Sequence, residues 1–124
     1  MKIYQTRFGD PDGNCLAACV ATITGLPLED FPPLKSEAWL FHWNAWLRER
    51  GWTMDWWRVG QGEVPAGFSV CSGTSPRGDF HHSVVYLDGK HFHDPHPDQT
   101  WILDEDDWLV PRRLGALQTG DLDD

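Results

Sequence analysis

The spacing of apolar residues changes once along this chain, at Gly51, and that change constrains the fold more than any other feature. Before it, apolar residues recur at helical spacing in two stretches: Leu16, Cys19, Val20 and Ile23, then Trp39, Leu40, Trp43, Trp46 and Leu47. After it the period falls to 2, in the short runs TMDWWRV, GFSVCSG, HHSVVYL, KHFHD and TWILDE. Helices first and strands second is the pattern of an α+β domain, with N-terminal helices packed on a C-terminal antiparallel sheet. A chain of 124 residues fits one domain with its own core. No repeat, low-complexity tract or composition shift marks a linker.

Local signals place the elements. GDPDGN reads as a loop, after which Asp12 or Asn14 can cap a helix from about Cys15 to Thr24 that Gly25 and Pro27 stop. Its stripe predicts burial along one side, with Cys15 at the edge. LPLEDFPPL is a turn-rich connector, and Ser36 can cap a second helix to about Arg50. Residues 1–8 alternate weakly and fit a short strand or an extended arm. Eight tryptophans could suggest a ligand-binding surface, but Trp39, Trp43 and Trp46 fall on the core face of their helix. Trp56 and Trp57 must point to opposite sides of a strand, which leaves one of them, with Trp57 the candidate, for a ligand.

Ten basic residues against 19 acidic ones give a net charge of −9, which argues against binding a nucleic-acid backbone. No apolar run approaches the roughly 20 residues that span a bilayer, and MKIYQTRF lacks the apolar stretch of a signal peptide, so a soluble, cytoplasmic protein is expected. Seven acids stand at or after Asp104 and predict a solvated acidic end, frayed from about residue 118. Three cysteines are an odd number, too few for a disulfide framework, so at least one thiol is free.

Cys15 is the candidate nucleophile. It opens a helix straight after a Gly13-Asn14 loop that lets a substrate approach, where unpaired N–H groups and the helix dipole favour a thiolate. Cys19, one turn on and within the apolar stripe, reads as an inert core thiol. A base and an orienting group should accompany a nucleophile. His82 begins a strand-like run and Asp94 closes the next. A two-residue Asp88-Gly89 turn would set His82 across from Pro95, whereas a three-residue loop, Leu87 to Gly89 with Gly89 at positive φ, would set it across from Asp94. Of these two registers only the second makes a His–carboxylate dyad, and it is the one expected here.

The strings GNCLAAC, HSVV and HDPHP together resemble the papain-like cysteine peptidases, especially the small branch similar to the double-glycine leader peptidases of bacteriocin exporters. The resemblance implies a papain-like fold and a peptidase or amidase in which Cys15 attacks, His82 is the base and Asp94 orients it. It also implies Gln5 as a side-chain donor to the oxyanion, with no metal or organic cofactor. Leu16 stands where that branch has Gly, and Gln5 lies ten positions from Cys15, so GDPDGN must fold back if Gln5 is to reach. Substrate contacts are expected from Gly13, Asn14 and Trp57, and the partner from this chemistry is a peptide or protein substrate.

Two other readings compete. Five of six histidines lie between positions 81 and 96, and His81, His91 and His93 could form a metal site. A catalytically silent papain-like scaffold could instead bind or inhibit a protein.

Overall fold

The computed structural model describes residues 1–8, 13–34, 37–58 and 65–114, with backbone only at 57 and 58. The expected Asp12 and Ser36 caps and the frayed end from about 118 lie outside the described residues. Helices α1 (Cys15–Thr24) and α2 (Trp39–Arg48) precede β1 (Trp52–Arg58), β2 (Phe68–Thr74), β3 (His81–Leu87), β4 (Lys90–His93) and β5 (Asp107–Arg113). The strands form one antiparallel sheet in the order β1-β5-β2-β3-β4. The α+β expectation holds.

One core lies between helices and sheet, where Leu16, Val20, Trp43 and Leu47 meet Met54, Val70, Val85 and Leu109. Trp43 and Leu47 carry the buried face of α2, and Phe31 packs against both Trp43 and Trp46, so the helix tryptophans fill the core. A second cluster gathers Cys71, Val84, Tyr86 and Trp108 under Trp101 and Ile102. The sheet is therefore covered twice, and the second cover is a loop.

Helix α1 ends as its sequence dictates: Gly25 takes φ 78° and donates its N–H to the Ala21 carbonyl at 2.8 Å. Its environment differs from the one-sided burial expected. Residues Leu16 to Thr22 are all buried, and residues 1–8 form an extended arm that runs against the helix, as the sheet does too. The Ile3 N–H donates to Thr22 Oγ1 at 2.9 Å, and the Ile3 carbonyl lies 2.6 Å from His93 Nε2. Small residues at 17, 18 and 21 let arm and sheet both approach. Helix α2 begins only at Trp39, with Ala38 before it and no side-chain cap.

The C-terminal strand was misplaced by its sequence. TWILDE is not a strand: Trp101 has φ 69° and Gln99 φ 57°, the backbone of an irregular loop. The strand is DWLVPRR, inserted between β1 and β2. Pro111 is tolerated because β5 pairs with β2 only from Asp107 to Leu109, so at Pro111 the sole partner is Met54 of β1. The acids Asp104 to Asp106 are exposed, as a solvated run should be, and they also tie down this loop. Asp104 accepts the Thr74 N–H at 2.7 Å, Glu105 accepts the Tyr86 hydroxyl, and Asp106 stands 3.4 Å from His81.

Gly73 marks how tightly that loop is held. A Cβ there would lie 1.8 Å from the Asp104 carbonyl oxygen, a backbone atom that no rotamer can move aside. Gly73→Ala is expected to displace residues 101–106 and destabilise the fold by about 1–3 kcal/mol or more, read by chemical denaturation. An unchanged midpoint would mean that the loop does not close on β2.

Candidate active site

The hairpin between β3 and β4 fixes His82 and its partner Asp94. Its turn is the two-residue one: Leu87 pairs with Lys90 across Asp88 and Gly89, with φ 51° and 77°. The expected three-residue loop is therefore corrected. Asp94 nevertheless comes to the side of His82, because the register shifts between Val85 and Tyr86: Tyr86 pairs with His91 but Val85 with His93. The extra residue, Phe92, is a β-bulge that reverses which side chains of β4 share a face with β3. His82 Nε2 lies 2.7 Å from Asp94 Oδ1, and both side chains are buried.

Asp94 is held from three sides. Its Oδ1 also accepts the His96 N–H at 2.9 Å, and its Oδ2 accepts the Trp101 N–H at 2.8 Å. Burial pushes its carboxyl up, but the His82 hydrogen bond and these two N–H groups outweigh that and keep it below the ordinary carboxylate range. At His82 burial opposes the charge, and the Asp94 hydrogen bond together with Cys15 overcomes it to raise the imidazole to about 8. Nε2 is committed to Asp94, so Nδ1 is the ring nitrogen left to serve the thiol.

Cys15 occupies the first position of α1 and is partly exposed, while Cys19 and Cys71 are fully buried. Burial disfavours its thiolate, yet the hydrogen bond and charge of His82, with the Ser83 N–H and hydroxyl, hold its pKa below 9.0. Burial pushes Cys19 and Cys71 the other way. The chain thus has one thiol poised to ionise beside an imidazole and two that are not.

Asn14 solves the folding problem of the ten-residue gap. Its Oδ1 accepts the Thr6 and Arg7 N–H groups at 3.0 and 2.9 Å, and its Nδ2 donates to Thr6 Oγ1 at 2.9 Å. Asn14 stands at the N-cap position, but its side chain does not cap α1, a correction to that expectation, because it pins the arm beside Cys15. The Gln5 N–H donates to the Pro95 carbonyl at 3.0 Å, which joins the arm to the Asp94 loop. Gln5, Gly13, Cys15 and His82 consequently border one cavity of about 500 Å³. Gln5 Nε2 donates to the Arg7 carbonyl at 2.9 Å, which fixes the amide orientation and leaves the second Nε2 hydrogen without that acceptor. Its Oε1 is buried and unpaired.

No family model, curated protein or solved structure matches the chain.

The remaining candidates separate from this cavity. The backbone of Trp57 lies in β1, level through Trp108 and Cys71 with Val84. Three strand spacings, roughly 14 Å, thus separate it from β3, and its side chain lies outside the described residues. The histidines proposed for metal are dispersed: His81 meets Asp106, His91 stacks on Trp101 at 3.9 Å, and His93 holds the arm. Among the described residues no group of three or more His, Cys, Asp or Glu side chains could hold a metal ion. Sequence reasoning missed Ser83, whose N–H faces the thiol, and Trp101, whose N–H clamps Asp94. Neither follows a spacing rule, since one acts through backbone and the other sits in a loop that reads as a strand.

Proposed function

We propose that this protein is a cysteine-dependent acyl-transfer enzyme, a peptidase or amidase with a papain-like arrangement and a Cys15–His82–Asp94 triad. One observation carries the reading: a thiol at a helix start shares the His82 imidazole with a fully buried, hydrogen-bonded carboxylate. A purely structural cysteine needs no such pair behind it. Three free thiols suit a reducing, cytoplasmic setting. No helix among the described residues is long and apolar enough to cross a membrane.

The chemistry follows from the geometry. The Cys15 thiolate attacks a carbonyl carbon, and the carbonyl oxygen takes the negative charge. His82, charged through its ion pair with Cys15 and held by Asp94, gives its proton to the departing amine. Water, deprotonated by the then neutral His82, releases the acyl group. The Cys15 N–H and the second Nε2 hydrogen of Gln5 are the donors for the oxyanion, each worth roughly 2.7–4 kcal/mol in such roles.

Labelling the intact protein with a panel of acyl electrophiles tests this reading. Stable acylation that Cys15→Ala abolishes supports it, and a panel that leaves Cys15 unmodified refutes it. Gln5 gives a second test once a substrate is found. Gln5→Ala is expected to lower turnover roughly 10²- to 10³-fold while the pH profile of Cys15 alkylation keeps its midpoint, because an oxyanion donor acts on the tetrahedral state and not on the thiolate. Full turnover in Gln5→Ala would assign the second donor elsewhere.

A further inference from the structure

The described lining of the cavity at Cys15 contrasts with the acidic balance of the molecule. The chain carries a net charge of −9, yet among the described residues no carboxylate lines this cavity, whereas Arg77, His81, His82 and His96 do. Two of these side chains face acids of their own, His82 on Asp94 and His81 on Asp106. Arg77 differs. Its Nη1 donates to a neutral hydroxyl, Thr100 Oγ1, at 3.1 Å, and among the described residues it makes no ion pair. A guanidinium carries five N–H donors in a planar fork matched to a carboxylate, and one hydroxyl occupies little of it.

The turn that presents Arg77 is fixed. The Ser75 N–H donates to the Phe80 carbonyl at 2.9 Å, and Ser75 Oγ accepts the Arg77 N–H at 3.1 Å. Ser75 itself is buried. Arg77 also acts towards the chemistry: after burial, its charge is the next cause that keeps His96 neutral, and the His96 ring lies 6.3 Å from that of His82. Arg77 and His82 thus border the same cavity as Cys15, and His82 is the group that, on the acyl-transfer reading, gives the leaving group its proton.

Resting on the acyl-transfer reading above, we propose that Arg77 selects substrates that carry a carboxylate next to the scissile bond, on the side of the leaving amine. The carboxylate would sit bidentate on the guanidinium, as a side chain of the leaving residue or as its terminal carboxylate. An acidic protein repels anions in general, so a cation on this cavity that makes no ion pair among the described residues gives a selective field rather than a uniform one.

The test compares two alkylating agents of similar size on the whole protein, iodoacetate and iodoacetamide. In both, the Cys15 thiolate forms a C–S bond as iodide leaves, so the ratio of their rates cancels any change in thiolate population. At low ionic strength Arg77→Gln is expected to lower the iodoacetate-to-iodoacetamide ratio roughly tenfold, and Arg77→Lys to keep most of it. A ratio equal in wild type and Arg77→Gln overturns the proposal. If neither reagent modifies Cys15 faster than it does a free thiol peptide, the acyl-transfer reading itself fails, which is a different result. Protection of Cys15 from iodoacetamide then separates the two carboxylate sources. N-acetylglutamine offers only the terminal carboxylate, and N-acetylglutamate α-amide only the side-chain one. Protection by one of them identifies the source, and protection by neither beyond that of neutral N-acetylglutamine amide counts against the proposal.

Discussion

Limiting iodoacetamide at pH 7 is expected to alkylate Cys15 before Cys19 or Cys71, and His82→Ala is expected to slow that reaction roughly tenfold to a hundredfold. The two halves of this result have separate causes. Cys19 and Cys71 are fully buried, and burial drives both thiols above their ordinary range, so they lack both access and thiolate. Cys15 is held below 9.0 only because His82 and Ser83 outweigh its own burial. Without the imidazole, burial dominates and the alkylation midpoint moves upward. Each unit of that movement removes about tenfold of thiolate at neutral pH, and the greater nucleophilicity of a more basic thiolate restores about half of the exponent. His81→Ala is the control: that ring is exposed, pairs with Asp106, and should leave most of the rate intact. Prior labelling of Cys71, or an equal loss in His81→Ala, would defeat the assignment of nucleophile and base.

Much of the site was legible because its members stand at element ends that local rules locate. Cys15 follows a loop and opens a helix whose far end a glycine fixes, so its position came within reach of capping rules alone. His82 and Asp94 were paired correctly but by a faulty route. A hairpin register counted from the turn cannot anticipate a bulge, and here the bulge at Phe92 compensates for a turn one residue shorter than expected. Bulges depend on how side chains on both faces pack, which a single strand's alternation does not encode.

The largest misreading concerns residues 101–113. TWILDE has strand-like alternation, while DWLVPRR carries a proline and follows a run of acids, so composition favoured the wrong segment. Tertiary context decided otherwise. Trp101 is needed to donate its N–H to Asp94 and to lie on His91 and Tyr86, which bends the backbone into positive φ. The acids are satisfied by Thr74, Tyr86 and His81 from β2 and β3, partners invisible before the sheet forms. Asn14 misled in the same way, since its sequence position suits a cap but its hydrogen bonds go back to residues 6 and 7.

Asp94 joins these two regions, and its replacement is expected to damage stability and chemistry together. Removing the carboxylate in Asp94→Ala leaves the buried His82 Nε2 and the N–H groups of His96 and Trp101 without their acceptor, a loss of roughly 3–5 kcal/mol. The pH dependence identifies the cause. His82 is raised from 6.5 to about 8, so its contribution is complete below 6.5 and fades as pH rises through about 8. Asp94 is lowered from 3.8, so its contribution is present above 3.8 and fades as pH falls through its lower folded value. The stability difference between wild type and Asp94→Ala should accordingly be largest between about pH 4 and 6.5 and shrink on both sides. Asp94→Asn separates charge from shape. Its single oxygen can serve His82 and His96, but its amide nitrogen then faces the Trp101 N–H, two donors in opposition. That variant is expected to lose about 1–3 kcal/mol and to fold, with the His82 ring still oriented but no longer raised to about 8. Its alkylation midpoint should therefore lie between those of wild type and Asp94→Ala. A pH-independent stability loss in Asp94→Ala, with Cys15 alkylation unchanged, would reduce Asp94 to a loop clamp and leave His82 to orient itself.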